Sequence, residues 1–482
     1  AMDGFNAVLT RDPACAMAFW GIALGYWGNP FAGVKTGPFV ESGRAAVQKG
    51  LSTGVPTPRE RAYLQAVSEL FTSADASTHR PRTLAYAAAM EKLQRDFPSD
   101  VEARIFYALA VNQTADPADK QFSKQLQAAG ILEPLWKQYP QHPGLPHYII
   151  HAYDHPPLAE RALDAARRYS TIAPSAPHAL HMPSHTFTRV GNWKDSAAAN
   201  VLSEAAAVRE GVVSEALHAM DYEIYAYLQM ADDEKARAVV QRAPDVASKL
   251  SLTAVGGAAP ASAGIYATSA IPARLALERG AWSEAAALAP TSSTVPYADA
   301  VTHFARALGM ARSGRPADAR ADIEQLAALG DKLGQMNDPY WREQVDIQRR
   351  VALAWVALGE GRSREALELM SAAADAEDAT DKAAISPGPL APARELLGEM
   401  LLSSGDASAA VKAFQATMIK EPNRFRGLSG GAMAAEKAGN RSLARQLYQR
   451  LVQIASGGNA SRPELQHARD FLESGARPRP QR

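Results

Sequence analysis

The stretch GDASAAVKAFQATMIKEPNRFRGLSGGAMAAEKAGNRSLARQLYQR, residues 405–450, displays its own period. Gly405 returns as Gly439, Asp406 as Asn440 and Phe414 as Tyr448, each 34 residues further on. Gly280 and Gly314 keep the same interval, as do Pro140 and Pro174, His147 and His181, and His151 and His185. Between these marks the chain follows one plan: a short apolar-periodic helix, a glycine-containing turn, a second helix, then a proline. A supersecondary unit recurring at a fixed interval is the mark of a stacked helical array, in which each unit buries its apolar face only against its neighbours.

The interval is the tetratricopeptide length. Near the start, Asp12-Pro13 precedes Ala18-Phe19-Trp20-Gly21-Ile22-Ala23-Leu24, close to the W-x-x-L-G opening of that repeat. The expected fold is all-α, a tetratricopeptide-like solenoid of antiparallel helix pairs in a right-handed superhelix. Gly/Pro/Ala/Ser-rich stretches interrupt it near Gly50 to Pro58, at Thr253 to Gly264 and at Ala374 to Pro392. The chain therefore divides into an N-terminal array over 1–252, a loop over 253–264, a C-terminal array over 265–473 and a disordered tail over 474–482.

Composition narrows the partners. The 482 residues carry 51 basic and 51 acidic side chains, for a formal net charge of zero. With no dense Lys/Arg block, the electrostatic footprint of a nucleic-acid or membrane-surface binder is missing. A membrane span is not expected either, since no run of about 18 apolar residues occurs. The single cysteine, Cys15, rules out an internal disulfide framework, an iron–sulfur cluster and a cysteine-based zinc site. Any metal must be held by nitrogen or oxygen. The opening Ala1-Met2-Asp3 runs directly into what reads as a helix already under way, so a preceding segment such as a signal peptide is allowed for. The location is then periplasmic or secreted, and cytoplasmic otherwise.

The histidines are clustered. Of 11 in the chain, eight fall between His142 and His218. His147 and His151, four apart in LPHYIIHAYD, share one face of a helical turn, and His178, His181 and His185 in PHALHMPSHTFTR share another. With helices starting at about Pro143 and Pro177, the repeat frame assigns Pro146, Ile149, Ile150 and Tyr153, then Leu180, Pro183, Ser184 and Phe187, to packing between helices. The same frame turns His147, His151, Asp154 and His155, then His178, His181, His185, Thr188 and Arg189, toward the concave face. In the following repeat Leu217 and Met220 pack while His218 and Tyr222 face inward. Helix axes about 8–10 Å apart let side chains meet between them. Imidazole nitrogens coordinate zinc at about 2.0–2.1 Å, so a metal bridging the His147/His151 and His181/His185 pairs fits. With His178 and His218 there are six candidate ligands, enough for two three-histidine sites with open positions. Asp154 and Asp221 qualify as ligands or as acceptors for the far imidazole N–H. Arg189 and Tyr222 stand where they would contact a substrate.

Elsewhere the chemistry is sparse. His142 and His155, each followed by proline, read as turn residues, and His79, His303 and His467 as ordinary polar positions. Met182 reads as packing, and Trp20, Tyr26 and Trp27 as core and groove wall. Neither a phosphate-binding glycine loop nor an HExxH motif occurs. The string Gly427-Leu428-Ser429-Gly430-Gly431 follows Pro422 inside a repeat rather than a strand, so Ser429 is no nucleophile elbow.

Residues 121–193, above all HPGLPHYIIHAYD and IAPSAPHALHMPSHTFTRVGNW, with the later LHAMDY, resemble a family of bacterial tetratricopeptide-repeat proteins carrying an HYxIHAYD / HALHMPSHxFTR histidine signature. The opening AFWGIALG fits that family too. Its pattern maps onto His147, His151, Asp154, His178, His181, His185, Arg189 and His218. The resemblance implies a helical-repeat fold and a shared polar site, and specifies no reaction; His155 departs from the pattern. The expectation is a metalloprotein holding copper or zinc ahead of iron, because the donors are imidazoles and no thiolate is at hand. It would use no nucleotide cofactor and could take a small molecule or peptide in the groove; whether it is an enzyme is left open, and if it is one, a metal-dependent oxidoreductase or hydrolase is expected. No catalytic residue is assigned. The rival readings are a metal-free scaffold for a protein or peptide and a metal carrier or store.

Overall fold

The structure, a computed structural model, describes residues 2–35, 37–53, 57–252, 258–459 and 461–474. Among the described residues there are helices and turns and no strand. The periodic landmarks explain the helix boundaries. Gly405 and Gly439 both sit at positive φ, 89° and 78°, where glycine turns the chain without strain. The next residue then caps a helix: Asp406 accepts from the Ala409 N–H at 2.9 Å, and Asn440 from the Leu443 N–H at 3.1 Å. Phe414 and Tyr448, the large apolar residues of the two copies, are fully buried.

The chain divides into two compact units, the first comprising 1–154, 158–183 and 251–260, the second 155–157, 184–250 and 261–482. The first unit contains helices α1 (Met2–Arg11), α2 (Ala16–Trp27), α3 (Gly37–Ser52), α4 (Pro58–Ser68), α5 (His79–Asp96), α6 (Val101–Gln113), α7 (Ser123–Gln138), α8 (Gly144–Ala152), α9 (Leu163–Ile172) and α10 (Pro177–His181). Consecutive helices pack on one another from α1 through α10. Their short connections make them antiparallel hairpins of tetratricopeptide type. Ile149, Ile150 and Tyr153 of the α8 segment are buried, the packing side that the repeat frame gave them.

The second unit takes in nearly all of α11 (Pro183–Arg189), then α12 (Trp193–Glu210), α13 (Val213–Gln229), α14 (Asp233–Ala247), α15 (Ala261–Glu278), α16 (Trp282–Ala286), α17 (Pro296–Arg312), α18 (Arg320–Gln335), α19 (Pro339–Gly359), α20 (Ser363–Ala379), α21 (Ala393–Ser403), α22 (Ala407–Lys420), α23 (Phe425–Lys437), α24 (Arg441–Ile454) and α25 (Pro463–Ser474). Successive hairpins again share an apolar core, rich in alanine where the helices approach closely. Phe414 fills notches left by Gly398 and Gly430, where a Cβ would stand 2.9 and 2.4 Å from its ring. Arg424, fully enclosed, donates to Glu278, Glu395 and the Tyr225 hydroxyl.

Some boundaries differ from expectation. The compact units part after Pro183, inside the array expected over 1–252. Helix α15 begins at Ala261, inside the loop expected over 253–264, of which 253–257 lie outside the described residues. Helix α20 runs on to Ala379, so the break expected from Ala374 starts after it. The tail expected over 474–482 lies outside the described residues except for Ser474, the last residue of α25. Helical periodicity continues through alanine-rich sequence that composition alone marks as loop. The segment PHALHMPSHTFTR forms two short helices, α10 and α11, that part at Met182, because Pro183 has no N–H to continue the ladder.

Candidate metal centre

Helix α8 carries His147 and His151 one turn apart, and their Nε2 atoms approach to 3.2 Å. Two nitrogens bound to one tetrahedral ion at about 2.0–2.1 Å lie about 3.3 Å apart. The pair is thus set at the bite distance of a zinc-sized ion. Helix α10 supplies His178, whose ring centre lies 5.1 Å from that of His147 and 6.5 Å from that of His151. One ring nitrogen from each of the three lies within 4.8 Å of the others. It is His178, one turn before His181, that completes the α8 pair, where the sequence pointed to the His181/His185 pair.

Aromatic rings hold the imidazoles in place. Phe31 lies against His151 with ring centres 4.6 Å apart, and Tyr148 and Tyr169 stack on His147 at 5.1 and 5.5 Å. His181 stacks in turn on His178 at 6.2 Å. The three imidazoles form part of the wall of a cavity of about 400 Å³ within the first unit. Trp20, Trp27, Phe31, Phe106 and Leu109 supply much of the rest. Phe31, Phe106 and Leu109 carry no motif that would have announced them, since they come from the turn after α2 and from α6 and meet only in three dimensions.

In the second unit, His185 of α11 and His218 of α13 face each other at 6.4 Å between ring centres, each 5.2 Å from the ring of Tyr222. Tyr222 is buried and donates its hydroxyl to the Ser386 carbonyl at 3.0 Å, which fixes it as a wall. His181, His185 and His218 are buried, not spread on an open groove surface as the repeat frame suggested. Arg189 is buried too. Both Asp221 oxygens accept hydrogen bonds from Arg274, at 2.6 and 3.2 Å, and the two residues are fully buried. Asp154 lies two residues beyond the end of α8 and is half-buried.

The remaining histidines have ordinary partners. His142 pairs with Glu102 at 2.7 Å, His303 with Asp322 at 2.6 Å and His467 with Glu436 at 2.8 Å. His79 stacks flat on Trp27 at 5.4 Å, and burial with the nearby Arg82 and Lys35 charges holds it down to about 4. His155 bonds Asp381 at 3.2 Å. Burial would raise the Asp381 carboxyl, but that bond and the charge of Arg189 outweigh it and hold it at about 2. Ser429 donates to the Arg426 carbonyl inside α23.

No family model and no curated protein matches the chain. Among solved structures it is similar to the Cut9–Hcn1 hetero-tetramer of the APC/C, at 11% identity over 87% of this chain and 97% of that one, with a TM-score of 0.26. It is also similar to the P58(IPK) TPR domain, at 11% identity over 79% of this chain and all of that one, with a TM-score of 0.24. At these TM-scores the likeness carries no argument about fold, ligand or activity. Helices long and apolar enough to cross a membrane are absent among the described residues.

Proposed function

We propose that this chain is a metalloprotein that holds copper or zinc through His147, His151 and His178. The observation that carries the reading is the 3.2 Å separation of the His147 and His151 Nε2 atoms with a third imidazole nitrogen within 4.8 Å. Three imidazoles without a thiolate suit zinc and copper ahead of hard cations, which prefer oxygen. Structural zinc sites close with four protein ligands, whereas sites that act on a substrate keep a position open. Here three ligands line a cavity, so the open position is available to a molecule inside it. A bound zinc would supply an activated water for hydrolysis, and a bound copper would supply oxidation chemistry. The chain's own part is to keep three rings oriented by stacking on Phe31, Tyr148 and Tyr169 and to shield them with apolar walls.

The test is calorimetric titration of untagged, chelator-stripped protein with zinc and with copper(II). The wild type should take up metal, and His151→Ala and His178→Ala should each lose one equivalent, while His303→Ala keeps it. Uptake unchanged in both variants would rule out this site, and none in the wild type would hand the case to a metal-free scaffold.

A further inference from the structure

We propose that the cavity beside the three imidazoles receives a small uncharged aromatic molecule bearing an oxygen acceptor. Its size of about 400 Å³ lies within the range of sites for small organic ligands. Its walls are largely rings: Trp20 meets Phe106 edge to face at 5.2 Å, and Trp27, Phe31, Tyr86 and Tyr148 line it as well. Such walls offer both faces and edges to an inserted ring. Among the described residues, not one Asp, Glu, Lys or Arg lines the cavity. A cationic occupant would therefore lose its hydration without a counter-charge, and an anionic one would have only the imidazoles to offset that loss. Two N–H donors in this wall, Trp27 Nε1 and Gln113 Nε2, are buried with no acceptor among the described residues. An occupant that brings oxygen would relieve that deficit once either side chain turns its N–H into the cavity. Met2 and Phe5 of α1 complete the outer side, seated on Gly21 and Gly25, where a Cβ would come within 2.3 and 2.2 Å of them. That the occupant's oxygen lies next to a metal rests on the metal reading above; the preference for a neutral ring does not.

The experiment is run on the metal-free full chain, with acetophenone, ethylbenzene, benzoate and benzyltrimethylammonium as probes, followed by calorimetry and tryptophan fluorescence. At about pH 9, well above the ordinary imidazole range, acetophenone should bind at least about tenfold more tightly than either charged probe, because only they leave a charge unsolvated. It should also outbind ethylbenzene, and Gln113→Leu should narrow that margin. Leu109→Trp fills the cavity and should abolish acetophenone binding while zinc uptake stays at the wild-type level. Benzoate or benzyltrimethylammonium binding as tightly as acetophenone, no acetophenone binding by the wild type, or undiminished binding in a folded Leu109→Trp would each overturn the proposal. Should Leu109→Trp not fold, the four-probe series on the wild type decides alone. Failure of zinc uptake with acetophenone selectivity intact would sink the metal reading and leave this one standing.

Discussion

His151 touches both sides of the problem: its Nε2 lies 3.2 Å from that of His147, and Phe31 covers its ring. Removing it leaves two imidazoles, too few to hold an ion against water. Even changes to partners behind the ligands cost about 10–100-fold in affinity. His151→Ala should therefore weaken zinc or copper binding by more than about 100-fold, read by competition with a chromophoric chelator. Loss of the His151 ring should leave the α8 packing intact, because Ile149, Ile150 and Tyr153 fill the buried side. The i and i+4 spacing of His147 and His151 was legible in the sequence, since helix geometry alone puts them on one face. That His178 would be their third partner was not legible. The choice among His178, His181 and His185 depends on how α10 and α11 part at Met182, a detail below the resolution of a repeat frame. The engagement of Asp221 by Arg274 was hidden for a related reason, because the two lie on α13 and α15 and no local pattern links them.

At the scale of helices, the 34-residue period gave turns and packing residues correctly. Gly405, Asp406 and Phe414 act as turn, cap and core in one copy, and Gly439, Asn440 and Tyr448 in the next. Phe414→Ala should cost about 3–5 kcal/mol by emptying the space between the Gly398 and Gly430 notches, measured by urea denaturation. An exposed position such as Ile419 on the same helix should cost far less. Between α20 and α21, Glu377 accepts the Ala393 N–H at 2.7 Å, and burial pushes its carboxyl up to about 7 from 4.5. The folded chain then keeps a proton there that the unfolded chain has released, so stability falls as pH rises from about 4.5 to about 7 and levels above. Glu377→Gln should remove that share of the slope in urea midpoints taken across the window. A slope identical to wild type would show that Glu377 ionises in the folded state as it does in water. Periodicity offered no hint of this group, because a single buried carboxylate leaves the pattern of apolar residues unchanged.

For the whole chain, the all-helical repeat architecture was legible because one short unit is written many times over, and each copy corrects the reading of the last. The division after Pro183 was not, since it follows from which helices share contacts far apart in sequence. Metal binding by folded protein alone should add stability by mass action, about 2.7 kcal/mol at a free ion concentration 100 times Kd. Zinc should therefore raise the melting temperature of the wild type and leave that of His151→Ala unmoved. The most direct test of the central claim is anomalous diffraction from crystals of the untagged protein soaked or grown with zinc. The account requires an anomalous peak about 2.0–2.1 Å from a ring nitrogen of each of His147, His151 and His178. Diffraction that resolves those three side chains with no peak between them, while zinc is present in excess, would contradict it.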